Sequence, residues 1–79
     1  MYSEPKFLPA GDLSISVEFG EEIGPAVNAR VLALEYLIQQ KQIPGVIETV
    51  PTFRALLIDY DPLTLTLNDL ITTLGPLIL

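Results

Sequence analysis

Leu13-Ser-Ile-Ser-Val-Glu-Phe19 alternates without a break. In an extended chain, Leu13, Ile15, Val17 and Phe19 fall on one side and Ser14, Ser16 and Glu18 on the other. A period of two carried by β-branched and aromatic residues marks a strand with one buried and one wet face. Upstream, Phe7-Leu8 reads as a short lead-in strand, and Pro9-Ala-Gly-Asp12 supplies turn-forming residues between the two. Downstream, Gly20-Glu-Glu-Ile-Gly24 breaks the strand. Pro25 then stands where a first helical residue has no N–H to lose. Glu21 and Glu22 precede it, on the side that a helix dipole favours. Val27, Val31, Leu34 and Ile38 follow as one helical stripe widened by Leu37, with Asn28, Glu35 and Gln39 on the wet side. Lys41 sits near the expected end, and Pro44-Gly45 stops the helix.

Val46-Ile-Glu-Thr-Val50 reads as the next strand, and Pro51-Thr-Phe-Arg54 as a hairpin connection. Ala55-Leu-Leu-Ile-Asp-Tyr60 is more apolar than alternating, which predicts a central strand covered in part on both faces. Asp61-Pro62 ends it. Thr66, with Asp69 three residues on, has the form of a capping box. Leu67, Leu70, Ile71 and Leu74 then give a second helix that Gly75-Pro76 closes, leaving Leu77-Ile78-Leu79 as an apolar stub. The order is β-α-β-β-α. The crossover of about 25 residues between the first two main strands is long enough for a βαβ unit. Helices on one face of a small mixed sheet give an α+β two-layer sandwich, ferredoxin-like in its split βαβ pattern. The complete pattern needs one more strand, expected to be either missing or supplied from beyond residue 79.

The chain has 79 residues, enough for one small domain, and 49% of them are apolar. A domain of this size buries only about 60–65% of the surface its unfolded chain exposes, so stability is modest. Some of the apolar surface is left wanting a cover. Ten carboxylates face four cations, for a net charge of −6. That balance gives no basic footprint for nucleic acid and no attraction to an anionic membrane. With no cysteine there is no disulfide framework or thiol nucleophile, and with no histidine the usual neutral-pH base and commonest metal ligand are missing. The first residues hold no apolar signal-peptide core, and no apolar run approaches the ~20 residues of a membrane helix, so a cytoplasmic location is the default.

No catalytic constellation emerges. Asp59 and Asp61 are better read as a strand end running into a solvated Asp-Pro turn than as paired acid and base. Glu21-Glu22 is better read as a helix entry than as a metal site, which needs more oxygen ligands at set spacing. Gly11, Gly20 and Gly24 fit neither a phosphate loop nor a dinucleotide fingerprint. Two segments stand out. In Leu8-Pro-Ala-Gly-Asp12, a structural turn outweighs a binding role. Val50-Pro-Thr-Phe-Arg-Ala55 sets Thr52, an aromatic and Arg54 in an exposed connection. The Arg54 fork suits a carboxylate, either a partner's or one of this chain's own, such as Asp12 or Glu48.

These segments also carry a resemblance. Phe7-Leu-Pro-Ala-Gly-Asp12, Val17-Glu-Phe-Gly20, Asn28, Pro44-Gly-Val46, Val50-Pro-Thr-Phe-Arg54 and Tyr60-Asp-Pro62 together resemble the opening domain of one family. Its members are called allophanate hydrolase subunit 1, the B subunit of 5-oxoprolinase, and inhibitor of the sporulation histidine kinase (Kip inhibitor). The resemblance implies that residues 1–79 form a single N-terminal α+β domain, with a cyclophilin-like barrel domain following outside them. It implies a second cyclophilin-like subunit and a lactamase-type subunit as partners, forming an ATP-dependent 5-oxoprolinase, with a histidine kinase as the alternative partner. It also implies kinship with urea carboxylase, where the pair is associated with the carboxyltransferase domain. ATP then serves the complex, and this domain needs no cofactor or catalytic residue of its own. Carried over position by position, the motifs nominate Gly11, Asp12, Pro51, Thr52 and Arg54 as contacts to a partner or to the missing domain.

Overall fold

The alternating segment is the second of four strands in the computed structural model, which describes residues 2–22 and 24–78. The elements run β1 (Lys6–Pro9), β2 (Ser14–Glu18), α1 (Pro25–Lys41), β3 (Val46–Pro51), β4 (Ala55–Tyr60) and α2 (Leu67–Ile78). The sheet order is β1-β2-β4-β3. β4 is therefore central, as its apolar composition requires. Around it, the α+β sandwich and the β-α-β-β-α order stand as read.

Two features of the sheet differ from expectation. Every pairing is antiparallel, so the sheet is not mixed. β2 and β3 do run in the same direction, as ends of a crossover must, but β4 lies between them and they share no ladder. The missing strand is also not missing. β1, the lead-in segment, pairs along β2 from Lys6↔Glu18 to Pro9↔Ile15 and fills the edge that a final strand would take. Proline suits that position, because an edge strand has N–H groups with no ladder to join.

Alternation sorts the sheet into a covered and an open face. Ile15, Val17, Leu56, Ile58 and Tyr60 turn inward and meet Val27, Val31, Leu34 and Ile38 of α1 and Leu70 and Leu74 of α2. All are buried, and each fully buried aliphatic contributes about 1.5–3 kcal/mol relative to exposure. Phe19 joins this cluster just past β2, whereas Leu13, expected beside it, is exposed at the strand entry. Its carbonyl accepts the Tyr60 N–H at 2.9 Å.

The helix termini follow local chemistry. Gly24, extended at φ −169°, precedes Pro25, and the Asn28 N–H donates to the Gly24 carbonyl at 3.0 Å. Glu21 and Glu22 lie upstream, and Ile23 lies outside the described residues. α1 ends where Gln42 turns left-handed at φ 50°. Gly45 then sits at φ +95°, where a Cβ would come within 2.7 Å of the Leu65 Cβ. Both the backbone and the packing require glycine there. Thr66 caps α2, its hydroxyl accepting the Asp69 N–H at 3.1 Å. Gly75-Pro76 does not close this helix, which carries Pro76 inside it and continues to Ile78. Leu77 and Ile78 pack on the core, and Arg30 Nη2 donates to the Ile78 carbonyl at 3.3 Å. Burial of the last turn outweighs the hydrogen bond that proline removes. Leu79, the remainder of the expected stub, lies outside the described residues.

Candidate functional site

Antiparallel pairing puts the two nominated turns at opposite ends of the sheet. The β1–β2 turn with Gly11 and Asp12 leads into Ser14, which pairs with Asp59 near the end of β4. The β3–β4 turn leads into Ala55, which pairs with Glu18 at the end of β2. The five residues of β2 separate them, about 17 Å of extended chain. The structure therefore brings Pro51, Thr52 and Arg54 together and leaves Gly11 and Asp12 elsewhere. Gly11 has φ +84° with open space where a Cβ would be, so its role there is the left-handed turn itself. Asp12 is exposed beside it.

The hairpin end is built from hydrogen bonds that the turn makes with itself. The Thr52 N–H donates to the Ala55 carbonyl at 2.8 Å. The Thr52 hydroxyl accepts the Ala55 N–H at 3.0 Å and faces the Ala55 carbonyl at the same distance. This leaves a two-residue tip, Phe53-Arg54. The Thr52 side chain is spent on the turn and presents little to a ligand.

Arg54 does not pair with Asp12 or Glu48. Its Nη1 donates to the Glu21 backbone carbonyl at 2.9 Å, while its own carbonyl accepts the Phe19 N–H at 2.9 Å. The arginine thus pins the β2–α1 connection against the hairpin. Asp12 lies at the far end of the sheet, as does Glu48, opposite Asp59. From the helix side, Asn28 Nδ2 donates to the Thr52 carbonyl at 3.4 Å.

Between these anchors, Asn28, Leu32, Pro51, Thr52 and Phe53 line an open, mostly apolar recess of about 290 Å³. Phe53 is 67% exposed at its rim, and Leu32 and Tyr36 continue the apolar surface along α1. The motif reading names Phe53 only within its segment and passes over Leu32 and Tyr36, both exposed. A signal for them existed: Asn28, Leu32 and Tyr36 recur at intervals of four, a second stripe on the helix side away from the core.

The other grooves offer less chemistry. One of about 600 Å³ runs between the end of α1 and α2 past Lys41, Pro44, Leu65 and Leu77. Its two threonine hydroxyls are already committed, Thr64 donating to Asp61 at 3.1 Å and Thr73 to the Asp69 carbonyl at 2.8 Å. Asp61 is in turn occupied by the Leu63 N–H, which makes Asp61-Pro62 a closed turn. Among the described residues no group of three or more potential metal ligands converges, and no helix is long and apolar enough to cross a membrane.

The exposed anchors of this ferredoxin-like sandwich are aromatic and aliphatic, set on a braced hairpin. Residues 5–78 match the family described as "Carboxyltransferase domain, subdomain C and D", and the chain belongs to it. It is 41% identical over 51 residues to the B subunit of the Bacillus subtilis (strain 168) 5-oxoprolinase, a stretch covering 65% of this chain and 21% of that protein. The Kluyveromyces lactis urea carboxylase contains the same architecture, with a TM-score of 0.88 at 27% identity over 94% of this chain and 7% of that one. The N-terminal domain of the Bacillus subtilis histidine kinase inhibitor KipI superposes with a TM-score of 0.64 at 31% identity, over 95% of this chain and 69% of that one. The chain thus spans about a fifth of the length of its curated relative.

Proposed function

We propose that this chain is the non-catalytic docking domain of one component in an ATP-dependent 5-oxoprolinase-type assembly, acting in the cytoplasm. The observation that carries the reading is the 41% identity to the B subunit of a 5-oxoprolinase. It is supported by the hairpin end, where an exposed, mostly apolar recess is held in shape by Arg54 and Asn28. Its partners are then a cyclophilin-like companion subunit and a lactamase-type subunit, and ATP is consumed by the assembly and not by these residues. Gly11, Asp12, Pro51, Thr52 and Arg54 serve by shaping turns, and Phe53 and Leu32 make the contact.

The test is reconstitution. The polypeptide carrying this domain, co-expressed with both companion subunits, is expected to co-purify with them and to convert 5-oxoproline to glutamate only with ATP and all components present. A stable complex that leaves 5-oxoproline untouched removes the substrate from the reading. A second reading, inhibition of a histidine kinase, is favoured by the match to the KipI N-terminal domain along 95% of this chain. Kinase autophosphorylation measured with an excess of the protein decides it, and unchanged phosphorylation ends it.

A further inference from the structure

The sheet face turned away from both helices carries three cross-strand rows, because residues paired in register share a face. Lys6, Glu18 and Ala55 form the first. Leu8, Ser16, Leu57 and Val50 form the second, which crosses all four strands. Ser14, Asp59 and Glu48 form the third. In the second row Leu8 is 44% exposed and Val50 40%, at the two edges, with Leu57 half-buried between them. The middle of the face is therefore an aliphatic strip, interrupted by Ser16, with no layer over it among the described residues.

The third row sets two carboxylates directly opposite each other on neighbouring strands, an arrangement that destabilises a sheet unless a cation intervenes. The Ser14 hydroxyl donates to Asp59 Oδ1 at 2.5 Å. The chain's four cations are engaged or placed elsewhere. Lys6 lies over the Tyr2 ring, Arg30 lies over Phe19, Arg54 holds the Glu21 carbonyl, and Lys41 ends α1. Among the described residues none of them forms an ion pair with Asp59 or Glu48.

We infer that this face docks a separate protein that presents a strip of aliphatic side chains with lysine or arginine beside it. The aliphatic strip lies on Leu8, Leu57 and Val50, and the cations seat on Asp59 and Glu48. The signs of the charges choose this occupant. A second copy of the chain would bring two such carboxylate pairs together, on molecules that each carry a net charge of −6. The inference rests on the reading of the chain as a docking domain and adds a surface distinct from the hairpin end. It does not depend on 5-oxoproline as substrate.

The test uses the isotopically labelled chain and two probe peptides, one alternating lysine with leucine and one alternating glutamate with leucine, followed by backbone NMR without ATP or 5-oxoproline. The basic peptide is expected to shift the amides around Leu8, Ser16, Val50 and Leu57, and the acidic peptide to leave them in place. The double substitution E48K/D59K is expected to weaken the basic peptide by about tenfold or more. The control E21K/D69K makes the same change in net charge, in the β2–α1 connection and on α2 away from this face, and is expected to stay within about twofold. Val50→Thr, at an exposed edge position that leaves the core intact, is expected to weaken binding as well. The inference is overturned if both double substitutions weaken binding equally, if the shifts map to the helices, if both peptides bind alike, or if sedimentation shows the face occupied by self-association. Loss of peptide binding with intact reconstituted turnover removes this surface alone, whereas the reverse outcome removes the 5-oxoprolinase reading alone.

Discussion

Leu57 and Ile58 are neighbours in one strand, yet they belong to two different problems. Ile58 points into the layer shared with α1 and α2 and is fully buried. Leu57 points the other way, beside Ser16 and Val50, and is only half-buried. One face of the sheet has been used to make the fold, and the other carries apolar and acidic side chains that the fold does not need. In so short a chain the helices suffice to cover only one face. The lesson is that apolar content and core are not the same quantity, and the surplus is the place to look for partners.

The contrast can be broken by substitution. Ile58→Ala removes fully buried atoms and is expected to cost about 2–5 kcal/mol, enough to leave a domain of modest stability largely unfolded in a thermal or urea melt. Leu57→Ala, one residue away, is expected to cost about 1 kcal/mol or less with the melt still cooperative. Equal losses at the two positions would mean that the open face is a second core. Gly45→Ala falls between them. Its left-handed backbone and the 2.7 Å approach to Leu65 predict a loss of about 1–3 kcal/mol, read as a lowered melting temperature. Thr66→Ala uncaps the helix that covers the buried face and is expected to cost about 1 kcal/mol, again by thermal or urea melt. The smallest effect on stability is expected for Phe53→Ala, within about 0.5 kcal/mol because the ring is largely exposed. That variant is nevertheless expected to lose co-purification with the companion subunits of the proposed assembly. Retained assembly would move the contact away from the hairpin.

The covered face is the part most legible in the sequence. Strict alternation from Leu13 to Phe19 and the Val27–Ile38 stripe each carry one period over several repeats, and both locate the core. β1 is harder to place. Four residues with proline at the end hold too little pattern to announce an edge strand, so the fourth strand is expected to be either missing or supplied from beyond residue 79. Strand order is a tertiary property, and no local pattern distinguishes a crossover that lands beside its origin from one that leaves room for β4. The extension of α2 through Pro76 likewise depends on what Leu77 and Ile78 pack against. At the hairpin, the motif nominates Pro51, Thr52 and Arg54, and the hydrogen bonds of Thr52 and Arg54 hold the turn and its neighbouring connection. Arg54 is satisfied by a backbone carbonyl, and a carbonyl leaves no trace in composition. Gly11 and Asp12 share a motif set with Arg54 without sharing its end of the sheet.

Which surface of the chain is used in assembly is the central question. The direct measurement is amide hydrogen exchange on the chain, free and mixed with the companion subunits of the proposed assembly. New protection is predicted at the hairpin tip around Phe53, around Leu32 on α1, and along the open row of Leu8, Ser16, Leu57 and Val50, with α2 exchanging as before. Protection confined to α1 and α2, or none at all in a complex that has formed, would contradict docking through the hairpin and the open sheet face.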